Sequence, residues 1–106
     1  MNATNNCAVA RARLNQTMRL QVRLDVETAS LGVSAAREAV DVAGEAVDAA
    51  RERLKLAEGR YRAGAGSSIE LGDAQIASTT AEAQVVQAKA NLAIARSQLI
   101  ASLGRL

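Results

Sequence analysis

The sequence contains few of the side chains that carry out enzymatic chemistry. It has no histidine, one cysteine (Cys7) and one aromatic residue (Tyr61). Ser67 and Ser68 have no neighbouring base that would activate a hydroxyl group, and no group of residues has the spacing of metal ligands. We therefore predict that the protein is not an enzyme and has no catalytic residue, no cofactor and no bound metal.

Two acidic residues, Glu70 and Asp73, follow a glycine-rich segment and are three positions apart. In the first turn of a helix, their charges would interact favourably with the helix dipole. In an oligomer, the same residues would form rings of negative charge. Both interpretations stay open on the sequence alone.

The composition favours helices and argues against a compact catalytic domain. Alanine, the strongest helix former, supplies 24 of 106 residues, and proline is absent. Small side chains bury little area each, so we expect oligomerisation to complete the fold. The net charge of +2 does not demand an acidic partner.

Four arginines form a basic stretch without an intervening acid. These residues lack interleaved aromatic side chains, so we predict no nucleic-acid partner. The basic stretch consists of Arg11, Arg13, Arg19 and Arg23.

No segment resembles a signal peptide or a membrane-spanning helix, and Cys7 is interpreted as an inert thiol.

A heptad pattern predicts two long helices that pack against each other. With Val33 at position a, the a positions from 26 to 54 are Val or Leu, and the d positions from 29 to 57 are Ala. The second helix repeats the alternation from Leu71 to Ser102. The first seam is Val22, Val26, Ala29, Val33, Ala36, Val40, Ala43, Val47, Ala50, Leu54, Ala57 and Tyr61.

A second stripe on each helix predicts more than one neighbour. On the first helix it occupies the c and g positions from 35 to 56, and on the second it runs from Ile76 to Ile100. Uncharged polar residues also line the second helix, which suits either a wet lumen or an ordinary solvated face. They are Thr80, Gln84, Gln87, Asn91 and Gln98.

Glycines and serines between residues 59 and 68 predict a tight turn. Gly64 suits a left-handed C-cap, and Ser67 or Ser68 suits an N-cap. We predict an all-α antiparallel two-helix coiled-coil hairpin that self-associates into a bundle. Residues 1–11 are expected to be disordered or frayed, with a helix over about 12–63, a turn over 64–67 and a helix over 68–104. A bend is plausible at Gly32.

The turn and its flanks resemble the C-terminal repeat of TolC-like outer-membrane efflux proteins. The resemblance rests on residues 60–75 (RYRAGAGSSIELGDAQ), on the alanine-rich heptads around them and on the ending ASLGRL. It covers about residues 12–106. The sequence departs from the family pattern at Gly66, where an arginine can stand.

The resemblance implies a trimeric channel for multidrug efflux or type I secretion. Its periplasmic tunnel would contain two such hairpins per subunit, and it would contact the outer membrane through a β-barrel outside this sequence. At the tip, Ala63, Gly64 and Ala65 would contact a periplasmic adaptor protein that connects to an inner-membrane pump. Tyr61, Glu70 and Asp73 would form the entrance constriction. The chain itself is expected to be a soluble, excised or truncated hairpin.

Two other interpretations fit the heptads. The chain would be the coiled-coil hairpin of a periplasmic adaptor (membrane-fusion) protein, or a generic structural coiled-coil module. Adaptor hairpins have similar alanine-rich helices, but the residues from Tyr61 to Gln75 fit them less well, and the lipoyl-like strands that flank such hairpins are missing.

Overall fold

Two long α-helices form an antiparallel hairpin. A computed structural model describes residues 2–105 and contains α1 (Asn2–Arg62) and α2 (Ser68–Leu103). The hairpin measures 94 × 17 × 13 Å. The prediction of an all-α, two-helix hairpin is confirmed.

The predicted seams form the contact between the helices. Every residue of the α1 seam from Val22 to Ala57 is buried or half-buried, while Tyr61 at its end is exposed. On α2, with Leu71 at position a, the d-position alanines are all buried. Because alanine is small, the helix axes can approach closely at these layers. The buried d residues of α2 are Ala74, Ala81, Ala88 and Ala95.

Helix α1 starts about ten residues earlier than the sequence pattern predicted. The segment expected to be frayed or disordered is helical from Asn2 onward, and Met1 lies outside the described residues. No glycine or proline occurs before Gly32, so nothing in this segment stops helix propagation. Residues 2–21 are exposed throughout, as expected for a helix that extends beyond the end of its partner.

The expected bend at Gly32 is not present. α1 continues through this residue, and its 61 residues should span roughly 92 Å at 1.5 Å per residue. The hairpin extends 94 Å, so α1 is close to straight. Gly32 lies within a helix whose flanking residues favour helix, and a single glycine there lowers helix stability without breaking the hydrogen-bond ladder.

Candidate functional site

The turn between the helices begins with a Schellman motif. Gly64 has a φ of +76°, the left-handed conformation that glycine adopts without a steric penalty. Its N–H donates to the carbonyl of Tyr61 (3.1 Å), and the N–H of Ala65 donates to the carbonyl of Arg60 (2.8 Å). These two hydrogen bonds satisfy carbonyls at the end of α1 and confirm the predicted C-cap.

Ser67 starts the second helix. Its backbone is extended, and its hydroxyl oxygen accepts a hydrogen bond from the N–H of Glu70 at 3.1 Å. This is the N-cap geometry in which a serine satisfies a backbone donor of the first turn. Of the two serines proposed as caps, Ser67 has this role, and Ser68 is the first helical residue.

Arg60 connects the two helices across the turn. Its Nε atom is 3.1 Å from Oε1 of Glu70, and its Nη2 atom donates to the carbonyl of Ala65 at 3.3 Å. Gly66 lies against this pair. A Cβ atom at Gly66 would be 3.1 Å from both the Arg60 Cβ and Glu70 Oε2, so the absence of a side chain leaves room for the ion pair.

The residues predicted to contact an adaptor lie at the extreme end of the hairpin. Ala63, Gly64 and Ala65 are all exposed, and none has a side chain larger than a methyl group. The surface of this tip is therefore made of backbone and methyl groups.

The predicted constriction residues lie beside the tip but have different surroundings. Glu70 is paired with Arg60, whereas Asp73 is exposed and has no ion pair within residues 2–105. Tyr61 joins the turn's hydrogen bonds through its carbonyl, and its side chain is 48% exposed. A role for the Tyr61 hydroxyl stays a prediction, as do the adaptor contacts and the constriction.

Sequence reasoning missed Arg60 as a member of this site. The sequence did contain a signal for it. Arg60 and Glu70 have opposite charges and flank the predicted tight turn at comparable distances from its centre, which favours an ion pair across the turn. Gly66, noted only as a departure from a family pattern, is part of the same arrangement because of its close contacts.

Within residues 2–105, three ion pairs that join α1 to α2 or to the residues just after it show which exposed positions share a side of the hairpin. Arg51 and Glu82, both at e positions, lie 3.5 Å apart. The other two pairs, Arg60 with Glu70 and Asp25 with Arg105, join g positions at 3.1 and 3.5 Å. Exposed e positions of the two helices therefore lie on one side, and exposed g positions lie on the other.

These two sides differ in charge. The charged side contains exposed acids and bases at the b and e positions of α1 and the e positions of α2. It consists of Arg37, Asp41, Asp48, Arg51, Lys55, Glu82, Lys89 and Arg96.

The neutral side contains small, apolar and uncharged polar residues at c and g positions. Over residues 32–56 and 77–98, Arg53 is its one charged residue. A hydrogen bond of 3.0 Å from the Gln87 amide to Asn91 Oδ1 lies on this side. Its exposed members include Ala35, Ala39, Val42, Ala46, Ala49, Leu56, Thr80, Gln84, Gln87, Asn91 and Gln98.

A third surface, the α2 edge, lies at the b and f positions of α2, away from α1. Ile76, Val86 and Ile100 are each about two-thirds exposed (67%, 69% and 69%). Between them lie small residues, namely Thr79, Ala83, Ala90, Ala93 and Ser97, all exposed. Isolated apolar side chains are common on protein surfaces, but a row of exposed apolar and small side chains along a whole helix is a candidate contact surface.

The sequence profile of the family described as outer membrane efflux protein matches residues 2–105. This match covers both helices and the turn. The chain belongs to the outer membrane efflux protein family. No curated protein and no solved structure matches the chain.

Membership of the outer membrane efflux protein family assigns the hairpin to a class of channel and transport proteins of the outer membrane and periplasm. It agrees with the resemblance in the turn and heptads, and it favours the channel interpretation over an adaptor hairpin. Within residues 2–105, no helix has a segment long and apolar enough to cross a membrane.

Proposed function

We propose that this hairpin forms part of the periplasmic tunnel wall of a trimeric outer-membrane efflux channel. Its tip docks a periplasmic adaptor protein, which connects the channel to an inner-membrane pump for multidrug efflux or type I secretion. The family match supports the assignment to an efflux protein. The three different surfaces of the hairpin support its placement in a wall.

The single observation that carries this proposal is the separation of charge between the two sides of the hairpin. A helix pair surrounded by water on all sides has no reason to keep one of its sides nearly free of acids and bases. A helix pair in the wall of a channel has three different environments, which are the exterior, the lumen and the neighbouring helices. The charged side suits the exterior, the α2 edge suits neighbouring helices, and the neutral side suits the lumen.

The position of the two acidic residues near the tip agrees with this orientation. Glu70 and Asp73 occupy g and c positions of α2, so they lie on the neutral side, between its uncharged stretch and the tip. If the neutral side faces the lumen, three copies of these residues surround the periplasmic entrance. The negative charge of the lumen would then be concentrated at its opening, and the lumen-facing surface of the wall above it would be nearly uncharged.

Cysteine labelling of the assembled channel tests the orientation. Gln87 and Lys89 are two residues apart on α2, are both exposed, and lie on opposite sides of the hairpin. In the parent channel with Cys7→Ser as background, Gln87→Cys and Lys89→Cys are each treated with a charged methanethiosulfonate reagent. Single-channel conductance is recorded in a planar bilayer.

The proposal predicts lower conductance after modification at residue 87 and no change at residue 89. The reverse pattern would place the charged side in the lumen and overturn the orientation. A parent protein that inserts into the bilayer but never conducts would overturn the channel function itself.

A further inference from the structure

We propose that Arg60 is a positioning residue that fixes the shape of the tip for its protein partner. This inference rests on the proposed docking function and names the residue that prepares the docking surface. The partner is a protein that recognises backbone groups and methyl groups held in one arrangement, since Ala63, Gly64 and Ala65 at the extreme end of the hairpin present no longer side chain.

The backbone of Arg60 is the first part of this device. Its carbonyl oxygen accepts hydrogen bonds from two successive N–H groups, those of Ala65 at 2.8 Å and Gly66 at 3.0 Å. The chain therefore returns to the end of α1 immediately after the exposed tip residues.

The side chain of Arg60 is the second part. Nη2 donates to the carbonyl of Ala65 at 3.3 Å, and Nε is 3.1 Å from Glu70 Oε1. One guanidinium group therefore contacts the loop and the first turn of α2 at once. A lysine has a single terminal donor group and does not reproduce this planar geometry.

Gly66 is the third part. The 3.1 Å separations of its potential Cβ from Arg60 Cβ and Glu70 Oε2 leave no space for a side chain unless the neighbours move. Arg60, Gly66 and Glu70 thus form one interlocking group, which we call the tip clasp.

The tip clasp is expected to fix local geometry and to add little to the global stability of the protein. The side chains of Arg60 and Glu70 are 55% and 47% exposed, and ion pairs this accessible to water contribute little to the free energy of unfolding. Its importance follows from the composition of the tip. Where a surface consists of backbone and methyl groups, the backbone conformation alone determines what a partner contacts.

The clasp is tested first on this chain without any partner. Amide hydrogen exchange of Ala65 and Gly66 is compared in the original protein, Arg60→Ala, Gly66→Ala and the charge-swapped double variant Arg60→Glu/Glu70→Arg. The control is Arg62→Ala, which removes an ion pair with Glu58 within α1.

We expect Arg60→Ala and Gly66→Ala to accelerate exchange at both amides by about fivefold or more, which corresponds to the loss of roughly one hydrogen bond. The charge swap should restore protection at least in part. Thermal midpoint and helicity should stay unchanged in Arg60→Ala and Arg62→Ala, because exposed ion pairs contribute little to the free energy of unfolding. Unchanged exchange in Arg60→Ala, or the same acceleration in Arg62→Ala, would overturn the clasp.

A binding measurement connects the clasp to function. The probe is a purified periplasmic adaptor protein, and surface plasmon resonance measures its affinity for the assembled channel. Arg60→Ala should weaken binding several-fold, while Arg51→Ala, which removes an equally exposed ion pair away from the tip, should not. Equal affinity of the original channel and Arg60→Ala would overturn the positioning role. If the original channel does not bind the adaptor, the docking function fails, while the exchange data still decide whether the clasp exists.

Discussion

Arg51 of α1 and Glu82 of α2 face each other across the hairpin, with Nη2 and Oε1 3.5 Å apart. This ion pair marks the charged side and shows which residues of the two helices lie opposite each other in the half of the hairpin near the turn. It contributes little stability, because the two side chains are 58% and 53% exposed. The buried seam of alanines and valines must therefore supply most of the free energy that holds the helices together.

Enlarging a buried alanine should destabilise the hairpin. Ala81 is only 7% exposed, so Ala81→Leu should overpack the seam and lower the free energy of unfolding by about 1–3 kcal/mol. Ala43→Leu, in the facing seam of α1, should act in the same direction. The same change at Ala83 on the α2 edge, or at Glu45, should alter it by no more than about 0.5 kcal/mol. Urea unfolding followed by circular dichroism measures these values, and equal effects at positions 81 and 83 would contradict the assigned seam.

Two glycines of the turn region should respond in opposite ways to alanine. Gly64 has a φ of +76°, and an L-residue there adopts a strained left-handed conformation, so Gly64→Ala should cost about 1–2 kcal/mol. Gly59 lies inside α1 with open space at its Cβ position, so Gly59→Ala should stabilise the helix by up to about 1 kcal/mol. Thermal unfolding of the two variants gives the comparison. Stabilisation by Gly64→Ala would refute the role of the left-handed C-cap.

The isolated chain should be more than about 70% helical and should self-associate, since the apolar residues of the α2 edge have no cover within the hairpin. Circular dichroism and sedimentation equilibrium measure the two properties. Val86→Gln on the α2 edge should weaken association and leave helicity unchanged, whereas Lys89→Gln on the charged side should change neither. A fully helical monomer at micromolar concentration would argue against the proposed contact surfaces.

Cation block of the parent channel should depend on the acidic residues beside the tip. Replacing Glu70 and Asp73 together by Ala should weaken block by divalent cations, because a ring of carboxylates attracts counter-ions to a narrow opening. Of the two single variants, Asp73→Ala should weaken the block more than Glu70→Ala, since Arg60 already balances the charge of Glu70. Assembly should be intact, because neither residue lies on the seam. If block is unchanged and the double variant is only less stable, these acids act through the helix dipole alone.

The two-helix secondary structure and the buried faces could be predicted from local patterns along the chain. Heptad spacing identified the seam from Val22 to Ala57, and glycine and serine placed the turn, because periodicity and capping depend on residues close together in the chain. The start of α1 was predicted about ten residues too late. The seam pattern fades before Val22, whereas the residues back to Asn2 still favour a helix.

Which residues meet across the hairpin could not be predicted in this way and follows from the folded structure. The register that joins Arg51 with Glu82 and Asp25 with Arg105 depends on how the turn sets one helix against the other. The same register shows that the small c and g residues of α1 and the uncharged polar residues of α2 share one side. The tip clasp depends on distances of a few ångströms between Arg60, Gly66 and Glu70. No periodicity encodes such contacts, because they arise from the three-dimensional path of five connecting residues.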